Sequence, residues 1–235
     1  MNILAMDTSN QILGVAVLRN GEIAGSSITN INRNHSVRLM PAVERLMKEI
    51  GMAPDELDKI IVASGPGSYT GVRIGVTTAK TLAWSLGIPI STVSSLEVLA
   101  WQGRFSEHNI CSFFDARRGL VYAGVYASEN GVPVLDRPEE NILMGDLLNR
   151  LKDAGEPVVM ISPDMAIHRQ MIEEILGELA IIPDGSKQFP NPVDLAYSGL
   201  GKEPEDVHQV TPNYLRLAEA EAKWIEMKKD LQNHE

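Results

Sequence analysis

A chain of 235 residues has room for two modest domains, and 44% hydrophobic with 22% charged residues excludes a fibrous or largely disordered protein. The formal net charge of −10 argues against a principal nucleic-acid-gripping surface, because that affinity comes from neutralising phosphates. Arg117 and Arg118 are the clearest local basic patch.

Residues 1–6 lack a basic stretch and meet Asp7 too early for a signal peptide. No apolar run approaches the length of a membrane span, so a cytoplasmic chain is expected. The single cysteine, Cys111, lies in the apolar run 109–114 and reads as a buried strand thiol.

The first thirty residues predict three strands, 3–6, 12–18 and 22–28, with Asn20-Gly21 as a hairpin turn. Then the period changes. Leu39, Val43, Leu46 and Ile50 predict a helix over 36–50, beginning or bending at Pro41 and stopped by Gly51. Residues 58–64 read as a buried strand, 70–86 as a helix ended by Gly87, and 88–93 as a strand. Polarity rises over 103–108, the best boundary. Beyond it, strands at 110–114 and 120–126 flank a charged turn, and Asn130-Gly131 marks another hairpin. Helices at 145–152, 165–176 and 192–200, and strands at 158–161 and 179–182, complete a second half that partly repeats the first. Thr211 and Pro212 read as the start of a last helix. Two related halves point to a duplication.

Four segments carry candidate chemistry. Asp7, Thr8 and Ser9 end the first strand; they suit a Mg²⁺ or phosphate site, or a turn in which Asp and Ser satisfy backbone N–H groups, the commoner arrangement. The loop 65–71 lies between strand and helix, where phosphate loops occur. It lacks the lysine of the Walker pattern and the third glycine of the dinucleotide pattern, so the simpler reading is a helix cap and a tight turn. In the following helix Gly71, Gly75, Ala79 and Ala83 form a ridge of small residues, although each glycine costs about 1 kcal/mol of helix propensity. Such a ridge admits another backbone closely, either the chain's own sheet or a partner's helix; Met40 and Met47 broaden the neighbouring helix in the same sense. The turn Asp115-Ala116-Arg117-Arg118-Gly119 suits a second phosphate loop or a charged hairpin equally. His35, His108, His168, His208 and His234 show no metal-ligand spacing, and no nucleophile-elbow motif is present, so no metal ligand and no catalytic residue is assigned.

Residues 1–9, the stretch 65–75, Asp115-Ala116-Arg117-Arg118 and Pro212-Asn213-Tyr214-Leu215-Arg216 together resemble the bacterial TsaB (YeaZ) family, over nearly the whole chain. The resemblance implies an α/β protein with a two-subdomain actin-like ATPase fold (ASKHA, ribonuclease H-like), its mixed sheets flanked by helices. The N-terminal subdomain would be 1–104, joined by a C-terminal helix 211–230, and the C-terminal subdomain 105–210. It implies a non-catalytic dimerisation subunit that activates TsaD in a TsaB–TsaD–TsaE complex, the complex forming N6-threonylcarbamoyladenosine in tRNAs that read codons beginning with A. TsaD carries the metal and active site in that family, TsaE is the ATPase, and the lone subunit pairs with itself. Partner contacts would come from the first two helices, through Leu39, Met40, Val43, Met47, Gly71, Gly75, Thr78, Ala79 and Leu82. Asp7, Thr8, Ser9, Asp115 and Arg117 would be degenerate phosphate loops. No cofactor of its own is implied, beyond weak ATP or ADP binding at the TsaD interface, and tRNA would be met mainly through the complex. The competing expectation is a stand-alone enzyme, an ATP-dependent phosphotransferase or a glycoprotease-like peptidase.

Overall fold

The computed structural model describes residues 1–31 and 34–215. Its first sheet holds β1 (Ile3–Asp7), β2 (Ile12–Arg19), β3 (Glu22–Asn30), β4 (Lys59–Ala63) and β5 (Ile90–Val93), in the order β3-β2-β1-β4-β5. β1 pairs antiparallel with β2 and parallel with β4, so a hairpin meander is grafted onto a parallel edge. The second sheet repeats the plan. β6 (Asn109–Asp115), β7 (Leu120–Glu129), β8 (Val132–Leu143), β9 (Val158–Ile161) and β10 (Ala180–Ile181) lie in the order β8-β7-β6-β9-β10, with the same directions. The duplication expected from the sequence is therefore a repeat of strand order as well as of element order.

Why the strands are apolar throughout follows from what covers them. Alternate residues of β1 point to opposite faces. Leu4 and Met6 join a core roofed by α1 (His35–Glu49) and α2 (Tyr69–Leu86), through Leu39, Val43, Leu46, Met47, Val72 and Val76. Ile3 and Ala5 meet Leu195 and Ala196 of α6 (Pro192–Leu200). A sheet buried on both faces reads as a continuous hydrophobic run. In the second half α4 (Met144–Ala154) and α5 (Met165–Leu176) cover Cys111 and Phe113, and α3 (Ser95–Ala100) covers Ile110 and Phe114. Through Val98 α3 also reaches the first sheet's core, so one six-residue helix is shared by both halves.

Three expectations need correction. α1 starts at His35 and runs through Pro41, so of the beginning or bend expected there the beginning is overturned. Pro41 and Val37 are both exposed, so the Val37 carbonyl, to which the proline ring cannot donate, lies on the solvent side of the helix. Residues 192–210, placed with the second subdomain, pack on the first: α6 lies on β1, β2 and β4, Glu205 pairs with Ile90 beside β5, and Val210 enters the core of α1 and α2. Residues 211–215 are not helical, and the rest of the expected helix 211–230 lies outside the described residues. β8 and α3 had no counterpart in the sequence reading.

Candidate functional site

Four loops at the C-terminal ends of β1, β4, β6 and β9 open onto a cleft of about 1070 Å³ between the halves. Ligands in open α/β sheets bind at this end of the strands. By the duplication, the turn after β1 and the turn after β6 are equivalent, and they face one another across the cleft.

The first turn is locked by the second loop. Asp7 is buried and accepts the Ser9 N–H at 2.7 Å, forming an Asx turn. Burial raises its carboxyl above the usual range, while the Ser9 N–H and hydroxyl and the charge of His35 hold it back. Thr8, also buried, donates its hydroxyl to the Gly71 carbonyl at 2.7 Å. The Ser68 N–H reaches the Ser9 carbonyl at 2.7 Å. A Cβ on Gly67 would lie 2.1 Å from the Ser9 carbonyl oxygen, and one on Gly71 2.1 Å from that of Thr8. Glycines are required here by the first turn passing over the second loop. Ser68 caps α2 by accepting the Gly71 N–H at 3.3 Å. Of Asp7, Thr8 and Ser9, only Ser9 lines the cleft.

The second turn is more open. Asp115 accepts the Arg117 N–H at 3.1 Å, repeating the Asx turn of Asp7. Its other oxygen meets Nε2 of buried His168 at 3.0 Å, and its own N–H donates to Asp164 at 3.0 Å. Burial raises the Asp164 carboxyl; the Asp115 N–H and His168 oppose that, and the Asp115 charge adds to it. Arg117 and Arg118 have φ of 66° and 56°, a left-handed backbone uncommon in arginine, which brings Arg117 to the cleft wall. Asp115, Arg117 and Asp164 thus line one wall of the cleft, a carboxylate pair beside a cation. Among the described residues no group of three His, Cys, Asp or Glu side chains could hold a metal ion.

The residues expected to meet a partner divide into two sets. Leu39, Val43 and Met47 are buried in the chain's own core, and so are Gly71, Gly75 and Ala79. A Cβ on Gly75 would meet Thr8 Oγ1 at 2.6 Å, so the small-residue ridge serves the approach of α2 to the first turn and sheet. Those six residues are buried in this structure. Met40 is 41% exposed, and Thr78 and Leu82 are half-buried. Arg73 and Lys80 of α2 face the segment 208–214, through hydrogen bonds to Tyr214 and to the His208 and Val210 carbonyls. At about 100° per residue, Ile74, Thr78 and Leu82 therefore lie on the opposite flank, towards α1.

His35, Tyr69, Tyr122 and Asp164, to which the sequence assigns no site role, also line the cleft. His35 and His168 were visible only as isolated histidines. Their closeness to the two equivalent aspartates depends on long-range pairing that no local spacing reveals.

A family model described as TsaD: tRNA N6-adenosine threonylcarbamoyltransferase matches residues 22–224. The tRNA threonylcarbamoyladenosine biosynthesis protein TsaB of Bacillus subtilis is 53% identical over 97% of this chain and 100% of its own length. Two solved structures from Pseudomonas aeruginosa share the architecture. One, described as an uncharacterized protein with similarity to peptidase YEAZ, has a TM-score of 0.80 and 28% identity, covering 92% of this chain and 99% of its own. The other, YeaZ, has a TM-score of 0.76 and 27% identity, covering 91% and 99%.

Proposed function

Since the chain belongs to the TsaB (YeaZ) family of tRNA threonylcarbamoyladenosine biosynthesis proteins, with its two-subdomain actin-like fold, we propose that it serves there as a non-catalytic scaffold. In this reading it pairs with the threonylcarbamoyltransferase TsaD and activates it, meets the ATPase TsaE through that complex, works in the cytoplasm, and forms a homodimer when alone. The outer face shared by α1 and α2 carries the proposal. Exposed Met40 and half-buried Ile74, Thr78 and Leu82 make an adaptable apolar strip on the flank of each helix that looks towards the other. The strip lies on a two-helix layer, which suits a helix-to-helix contact with a related subunit. The net charge of −10 supports leaving the tRNA phosphates to other subunits.

Light scattering on the purified chain, alone and mixed with a TsaD-type transferase, tests this. A dimer is expected alone, a new heteromeric particle in the mixture, and threonylcarbamoyladenosine formation only when both are present. A chain that stays monomeric and ignores the transferase at micromolar concentration overturns the reading. Weak ATP or ADP binding is expected only with the transferase present. Tight stoichiometric ATP binding to the lone chain, measured by calorimetry with Mg²⁺, would favour the phosphotransferase alternative.

A further inference from the structure

The segment 202–215 leaves α6, runs beside β5 and along α2, and ends at the mouth of the cleft. It is anchored at every step. The Glu205 carboxylate accepts the Thr92 N–H and hydroxyl at 2.9 and 2.7 Å. Lys80 holds the Val210 carbonyl at 2.7 Å, and the Asn213 N–H donates to the Ser64 carbonyl at 2.7 Å. Two adjacent residues then go to different halves. The Tyr214 hydroxyl accepts Arg73 Nε at 2.6 Å, and its ring stacks on Tyr69 at 5.2 Å, both in α2. Leu215 packs on the cluster of α3 and the second sheet, with Phe114 and Tyr126. Tyr214 also lines both the front cleft and a rear cavity of about 590 Å³ that holds Glu97 and Glu139.

We propose that residues 211–215 are a strap that staples the two halves across the cleft mouth, sets its opening, and walls the cleft from the rear cavity. Tyr214 ties the strap to the first half and Leu215 to the second. A hinge between such halves is free to move only as far as these adjacent residues permit, because one peptide unit spans them. Releasing either end loosens the packing of Leu215 on the cluster that holds Phe114, at the base of the turn after β6.

Hydrogen exchange on the full chain tests the strap, comparing Tyr214→Ala, Leu215→Ser and the surface variant Arg73→Ala with the unmodified protein. Exchange in the turn 114–119 and in the loop 67–71 is expected to rise roughly tenfold in each variant, with α4, β9 and α5 unchanged. Tyr214→Phe, which keeps the stack and loses the hydroxyl, is expected to show a smaller rise. Small-angle scattering is expected to show a larger radius of gyration for Tyr214→Ala. Unchanged exchange at 114–119 overturns the proposal, and so does a uniform rise over the whole chain, which would mark a contribution to global stability alone. Should Tyr214→Ala fail to fold, Arg73→Ala decides the matter by the same readout.

Discussion

At Gly75 the Cβ that any other residue would carry points at Thr8 Oγ1, which is itself spent on the Gly71 carbonyl. Neither group has room to retreat, because both are buried in the first half. Gly75→Leu is therefore expected to damage the fold before it touches any partner, by about 3 kcal/mol or more, since overpacking a tight core costs about 1–3 kcal/mol even for added methylenes. Urea unfolding measures this, and an unchanged midpoint would refute it. Asp7 makes a different prediction. Burial raises its folded carboxyl above the unfolded value of 3.8, so this group's contribution to stability is largest at low pH and is lost as pH rises through the folded value. Asp7→Asn keeps an oxygen for the Ser9 N–H and removes the buried charge. The variant should be at least as stable as the parent at pH 7, and the gap should narrow as pH falls and the parent carboxyl takes up its proton. A loss of stability at pH 7 would show that the charge is needed.

For the helices, exposure separates packing from docking. Met40 is open to solvent, so Met40→Glu should change stability by no more than about 0.5 kcal/mol, as surface changes usually do. On the proposed α1–α2 interface it should weaken association with the transferase at least about tenfold, because a charge placed in a desolvated contact is costly. Sedimentation of the mixture checks it; undiminished association would move the interface elsewhere. The elements themselves were largely legible from periodicity. The limits of α5 and α6 follow from their apolar spacing and from Pro192 and Gly177 at their ends. α3 escaped notice because Ser-Leu-Glu-Val-Leu-Ala is too short to show a period and is buried between two sheets. β8 escaped because Asp136, Arg137 and Pro138 interrupt it. On an edge strand with a register shift opposite Val125, a proline and charges are tolerated. For the ridge on α2 the sequence leaves two homes open, and the closeness of Gly71 and Gly75 to Thr8 shows the use that the chain's own fold makes of it. The cleft was half legible. Asp7 and Asp115 announced themselves at strand ends, whereas Asp164 and His168 reach Asp115 only through the parallel pairing of β6 and β9.

For the whole molecule, the repeated strand order makes two halves, each a sheet with helices, coupled by the buried α3 and by polar contacts beside it. One coupling site lies where α6 meets the turn after α3. Asp194, 6% exposed, accepts Gln102 Nε2 at 2.5 Å and faces Arg104 Nη1 at 3.3 Å. Arg104 in turn stacks over Phe105 and holds the Trp101 carbonyl, so this carboxylate anchors the passage from the first half to the second. Burial raises the Asp194 carboxyl, and Arg104 and Gln102 restrain that rise. Asp194→Ala strands two donors. Breaking a buried pair costs about 3–5 kcal/mol, and Arg104 keeps partial access to water, so about 1–3 kcal/mol is expected here. In a protein of this size that is about 2–12 °C in melting temperature. Asp194→Asn keeps an acceptor for Gln102 and should lose less than half as much. Because the lost contacts hold the passage 101–104, whose Arg104 carbonyl accepts the Ser128 hydroxyl of β7, the calorimetric transition of the alanine variant should also broaden or split, whereas a purely local defect would only shift it. A sharp, unshifted transition would place the coupling elsewhere, with the strap at Tyr214 and Leu215 the next contact to remove.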